Sequence, residues 1–179
     1  EVINLLLGIF IAAIITVIFP VLSESHNKLE GEELKKGVKY GIYTLLTISI
    51  PVSIILIFMV EPIVKIVFER GAFDATASFF TAESLAYYAI GLPAMAVIPL
   101  ITRAYYSMED MKTPLAISII VLVVNILTDL ALAPIMGAKG VALGTSSSVI
   151  LGVTIGLLDL NKRLSLGKLQ DIGDRLIKF

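Results

Sequence analysis

The chain has 179 residues, of which 57% are hydrophobic and only 16% charged, with a mean hydropathy of +0.94; soluble domains carry about 25% charged residues. Its net charge of −1 argues against a nucleic-acid partner, and the absence of cysteine removes disulfide frameworks and thiolate chemistry. Lipid is therefore the solvent for much of the chain, and backbone polar groups at membrane depth must be paired internally.

Five apolar stretches are each about long enough to cross a bilayer as a helix. They run over residues 2–22, 40–60, 79–106, 114–135 and 140–160. The expected fold is an all-α integral membrane bundle of five transmembrane helices, with short interfacial helices between some of them. Residues 1–165 form the transmembrane unit, and 166–179 an amphipathic start of a next helix. The chain opens at Glu1 inside an apolar run already under way, which predicts an internal fragment of a longer membrane protein.

Glu1 and Asn4 stand at the beginning of the first span. They are either interfacial or face a wet cavity within the membrane. The connection Ser23–Lys39 is polar, with Glu32 and Lys36 at a spacing that suits helical pairing, and predicts a short surface helix. Gly37 and Gly41 form a GxxxG at the start of the second span, suited to close helix approach or to a loop. Residues 61–73, EPIVKIVFERGAF, are too short to span and predict an interfacial helix ended by Gly71, with Asp74 capping the next.

The third span contains Pro93 and Pro99, which predict a kink or tilt. Glu83 near its start is expected to be solvated or to cap. Thr113 is the expected N-cap of the fourth span, with Pro114 in its first turn. In the fifth span Gly140, Gly144, Ser148, Gly152 and Gly156 recur every four residues, a packing stripe that predicts a tightly apposed helix.

Basic residues orient the bundle. The side holding the Ser23–Lys39 loop carries 11 of the 14 Lys and Arg residues, and the other side carries Lys65, Arg70 and Lys139. The positive-inside rule makes the first side cytoplasmic.

One polar constellation interrupts the apolar spans. Asn125 and Asp129 are four apart on one helix face. An ionised Asp in a membrane helix costs at least ~2.5–3.5 kcal/mol near the centre and needs a partner. Gly137 centres a hairpin that brings Thr145, and the carbonyl of Val141 one turn before it, to a similar depth. Amide oxygen, carboxylate, hydroxyl and carbonyl are hard ligands with one negative charge, suited to a monovalent cation such as Na⁺. The alternatives are a structural hydrogen-bond cluster or a protonated Asp129. No other chemistry is encoded: His26 is alone in a polar loop, GxSxG, P-loop and GxGxxG patterns are absent, and Ser146–Ser148 read as packing residues.

Four motifs carry a resemblance to a known family: the FERGAF turn, the YxxGLP segment, the RAYY run before an acidic-Lys-Thr-Pro turn, and GxxGVALGTS. Together they resemble the MurJ/MviN lipid II flippases of the multidrug/oligosaccharide/polysaccharide exporter superfamily. The resemblance implies fourteen membrane helices in two six-helix lobes plus a final pair. This chain would be helices eight to twelve, part of the second lobe, with 166–179 entering the thirteenth.

The implied activity is not enzymatic. It is movement of the undecaprenyl-diphosphate-linked peptidoglycan precursor across the bacterial cytoplasmic (inner) membrane by alternating access. No cofactor is required, and the coupling ion would be Na⁺ or H⁺. The implied partners are that lipid-linked substrate, membrane lipids and the remaining helices of the same transporter. Glu1, with Asn4, would line the substrate cavity; Asn125, Asp129, Val141 and Thr145 would hold the cation. A related exporter of lipid-linked oligosaccharides or drugs, and a non-transporting structural subunit, are the competing functions.

Overall fold

The computed structural model describes residues 32–68 and 75–166, which form four long α-helices. They are α1 (Glu32–Phe68), α2 (Ala75–Ser107), α3 (Lys112–Met136) and α4 (Ala138–Leu164). All four are long and apolar enough to cross a membrane. The span expected at 2–22, the residues Glu1 and Asn4, and the tail from 167 onward lie outside the described residues.

α1 and α2 pack antiparallel along their whole length. Leu34, Val38, Ile42 and Leu45 share a buried cluster with Val97, Leu100, Ile101 and Tyr105. Further along, Leu56 meets Ala89 and Leu92, and Val60 and Val64 meet Ala82 and Leu85. Gly41 packs directly on Leu100, since a Cβ there would lie 2.8 Å from Leu100 Cδ2; Gly37, its partner in the GxxxG, is exposed.

This packing corrects the expectation of short interfacial helices within the described residues. Glu32–Lys39 and Glu61–Phe68 are continuous turns of α1, which passes through Pro51 and Pro62. Val64 is fully buried. The stretch has a tertiary partner in α2, which Val64 and the half-buried Ile63 pack against, while Ile66 stays exposed. Propagating an existing helix is also easier than nucleating a new one.

α2 likewise continues through Pro93 and Pro99 as one element. A proline removes the hydrogen bond to the carbonyl four residues before it. For Pro93 that carbonyl belongs to Ala89, and the Ser53 hydroxyl from α1 donates to it.

α4 lies between α2 and α3. It runs parallel to α2, with Gly91 against Ser146, and the Ser146 hydroxyl donates to the Tyr87 carbonyl at 2.7 Å. α3 runs antiparallel to α4, and among its residues only Pro114 is buried. Leu115, Ile119, Leu122, Ile126 and Leu130 are exposed along its outer side. In water this face would be untenable; in hydrocarbon it is the ordinary surface of a spanning helix.

Candidate cation site

The site is built on the α3–α4 hairpin. A single residue, Gly137, separates the two helices, with φ 63° and ψ −139°. A side chain disfavours that backbone conformation, so glycine is required for so short a connection. Its N–H donates to the Ala133 carbonyl at 2.9 Å, and its carbonyl accepts the N–H of Gly140 at 3.0 Å. Gly140 then faces the α3 backbone directly: a Cβ there would come within 2.7 Å of the Leu132 carbonyl carbon. This contact sets the register of everything deeper in the hairpin.

One turn further along α4, Gly144 lies against Thr128 and Asp129. Beside it, the Thr145 hydroxyl donates to the Val141 carbonyl at 3.0 Å. The Asn125 Nδ2 amide donates to Thr145 Oγ1 at 3.3 Å and to Asp129 Oδ1 at 3.4 Å. The hairpin therefore joins Asn125, Asp129, Thr145 and the Val141 carbonyl through one chain of contacts. All four residues are half-buried.

The observed register differs in detail from equal-depth pairing. Asn125, not Asp129, bonds Thr145, while Asp129 stands opposite Gly144. The Gly140–Leu132 contact, rather than the midpoint of the turn, decides which residues face one another. No group of three or more His, Cys, Asp or Glu side chains able to hold a metal occurs among the described residues. Among the described residues Asp129 is thus outside any cluster of three or more such side chains. A half-turn of the Asn125 amide exchanges its NH₂ for its oxygen. The cluster can then present amide oxygen, carboxylate, hydroxyl and backbone carbonyl to one small monovalent cation.

Two ion-paired assemblies brace the ends of the bundle. Toward the first turn of α4, Lys139 Nζ lies 3.2 and 3.3 Å from the two carboxylate oxygens of Glu83 in α2. Glu83 is therefore an interhelical partner that keeps part of its expected solvation, since its side chain is 29% exposed. At the other end, Arg163 in α4 donates to Asp110 Oδ2 at 2.7 Å and to Thr113 Oγ1 at 3.0 Å. Its Nε lies 2.7 Å from Asp159 Oδ2, which also accepts the Tyr105 hydroxyl at 2.8 Å.

Asp110 corrects the expected start of α3. The helix begins at Lys112, and Asp110 accepts the N–H groups of Lys112 and Thr113 at 3.0 Å each. Thr113 is inside the helix and donates its own hydroxyl to Asp110 at 2.6 Å. The Thr113 hydroxyl and N–H, with Arg163, hold the Asp110 carboxyl well below the usual carboxylate range. The acidic residue before Lys-Thr-Pro was the available signal, because a carboxylate three residues ahead of Thr113 can cap as readily as the threonine.

A sequence model of a protein family, described as "Lipid II flippase MurJ", matches residues 1–178. The chain belongs to the MurJ lipid II flippase family. A lipid II flippase MurJ of Burkholderia cenocepacia is 30% identical over 158 residues, covering 88% of this chain and 30% of the relative. A probable lipid II flippase MurJ of Thermotoga maritima is 38% identical over 146 residues, covering 82% of this chain and 30% of the relative. The fold agrees: a solved structure of "Lipid II flippase MurJ, inward closed conformation" superposes with TM-score 0.74 at 30% identity, over 86% of this chain and 32% of that one. The chain thus spans about a third of the length of the MurJ proteins it matches. It is a homologue of bacterial MurJ flippases, with several helices of membrane-spanning length.

Proposed function

We propose that this chain supplies second-lobe helices to a lipid II flippase of the bacterial cytoplasmic membrane, which moves the undecaprenyl-diphosphate-linked peptidoglycan precursor outward by alternating access. The Asn125–Asp129–Thr145–Val141 cluster is its Na⁺ site. The carrying observation is a carboxylate within an apolar hairpin whose neighbours are an amide, a hydroxyl and a carbonyl. Holding a charge at such a depth has a cost that a bound cation offsets.

A cation there bridges α3 to α4. Occupancy stiffens the hairpin and biases whichever transporter conformation holds the ligands closest, as any state-selective ligand does. The 11-to-3 distribution of basic residues places the starts of α1 and α3 and the end of α4 on the cytoplasmic side.

The test is an exchange in living cells. Replacing the protein with its Asp129→Asn variant should sharply reduce the lipid-linked precursor reaching the outer leaflet, at unchanged protein level. Unchanged export by that variant would remove the cation coupling. Unchanged export after depletion of the whole protein, with no other flippase present, would remove the transport function.

A further inference from the structure

Gly144 has a role that the other small residues of its stripe do not share. A Cβ built on it would overlap Asp129 Oδ1, and would lie 2.9 Å from Thr128 Oγ1 and 3.4 Å from Thr128 Cβ. Neither neighbour is the loose end of an aliphatic chain. The Thr128 hydroxyl is held between the Val124 and Asn125 carbonyls at 2.8 and 2.9 Å. The Asp129 oxygen in question is the one that accepts from Asn125. By contrast, a Cβ on Gly152 would meet Val121 Cγ2, and one on Gly156 would meet Ile101 Cγ2 at 2.9 Å. Those are apolar packing contacts.

α4 therefore offers the polar cluster two consecutive residues of opposite kind. Thr145 brings a hydroxyl that Asn125 contacts, and Gly144 brings an absence that the Asp129 carboxylate fills. We propose that Gly144 is a positioning residue of the cation site. Its missing Cβ decides where the carboxylate stands relative to the Asn125 side chain, the Thr145 hydroxyl and the Val141 carbonyl. It thereby sets the affinity for the cation.

This inference rests on the Na⁺ site proposed above. Metal–ligand distances hold to within about 0.2 Å. A Cβ that overlaps Oδ1 must displace the carboxylate by more than that. A larger side chain at 144 thus leaves all four ligating groups present and their arrangement wrong.

The test compares four forms of the full chain in lipid nanodiscs: the unaltered protein, Gly144→Ala, Gly156→Ala and Asp129→Asn. Thermal unfolding is followed while NaCl replaces choline chloride at constant ionic strength, and the readout is the Na⁺ concentration at half-maximal stabilisation. The unaltered protein and Gly156→Ala should share one midpoint, whatever Gly156→Ala does to stability without Na⁺. Gly144→Ala should raise the midpoint by about 10–100-fold, the range seen when support of a metal ligand is lost.

If Gly144→Ala does not fold, Thr128→Ala/Gly144→Ala is used. It removes the threonine collision and leaves only the carboxylate in the way, and the same rise is expected. A Na⁺ response lost in Asp129→Asn but unshifted in the Gly144 variants overturns the role of Gly144 and leaves the site standing. No Na⁺ response in the unaltered protein, or an intact one in Asp129→Asn, overturns the site itself and this inference with it.

Discussion

The Ser53 hydroxyl of α1 donates to the Ala89 carbonyl of α2, the group that Pro93 leaves without its helical partner. Both ends of this bond are buried: Ser53 is 5% exposed and Ala89 2%. The proline is thus accommodated by a neighbouring helix and not by water. Ser53→Ala should destabilise the bundle by about 1 kcal/mol, within the range for leaving a buried acceptor unpaired. Ser53→Ala/Pro93→Ala should recover most of that loss, because the second substitution restores an N–H four residues after Ala89. A double-mutant cycle on unfolding in mixed micelles measures the coupling; additive effects would refute it.

Gly37 and Gly41 are a matched pair in sequence and unlike in structure. Gly41 is buried against Leu100, whereas Gly37 is exposed on α1. Gly37→Ala should stabilise by up to about 1 kcal/mol through helix propensity. Gly41→Ala should be neutral or destabilising, by up to about 3 kcal/mol if Leu100 cannot move aside. Thermal unfolding of the two variants separates them, and equal effects would contradict the packing described.

Gly140 makes the closest backbone approach in the hairpin, since a Cβ there would meet the Leu132 carbonyl group itself. Gly140→Ala should cost about 1–3 kcal/mol by overpacking and should shift the α3–α4 register. Introduced cysteine pairs across the hairpin, crosslinked before and after the substitution, would report the shift. An unchanged crosslinking pattern would show that the register is set elsewhere.

Glu83 and Lys139 join α2 to α4 through two contacts, with both side chains about one-third exposed. Partial solvation limits such a pair to about 0.2–1 kcal/mol. Glu83→Lys should lower stability by placing two ammonium groups together, and Glu83→Lys/Lys139→Glu should restore it. The comparison is best made at low salt, where screening is weakest.

Asp110 provides a pH signature. Its carboxyl is held below its ordinary value of 3.8 by Thr113 and Arg163. A depressed folded-state value means that its stabilising contribution is complete above that ordinary value. The contribution is lost as pH falls through the lower folded-state value. Asp110→Ala should therefore lower the melting temperature at neutral pH, and its difference from the unaltered protein should shrink in strong acid. Asp110→Asn keeps an acceptor for the α3 N–H groups and should fall between the two. A difference that does not change with pH would exclude the carboxylate as its source.

Much of the bundle was legible because hydrocarbon imposes a simple demand. Long apolar runs must be helices there, and α1 to α4 each contain one of the apolar stretches 40–60, 79–106, 114–135 and 140–160, extended by one to eight residues at its ends. The extensions were hidden because Glu32–Lys39 and Glu61–Phe68 look interfacial alone. Their inclusion in α1 depends on Leu34, Val38, Val60 and Val64 finding partners on α2. The capping role of Asp110 was hidden because two neighbouring side chains offered the same chemistry, and only geometry chose between them.

Composition and residue spacing alone determined that the chain belongs in lipid, that Asn125 and Asp129 share a helix face, and that Gly137 turns Thr145 back toward them. Those features are local, set by side-chain polarity and by helix periodicity within a few turns. Tertiary structure decided the rest: that Thr145 bonds Asn125, that Gly144 makes room for Asp129, that Glu83 pairs with Lys139, and that Ser53 answers the proline at 93. Each joins helices whose relative register follows from close backbone packing, and no spacing within a single helix encodes that register.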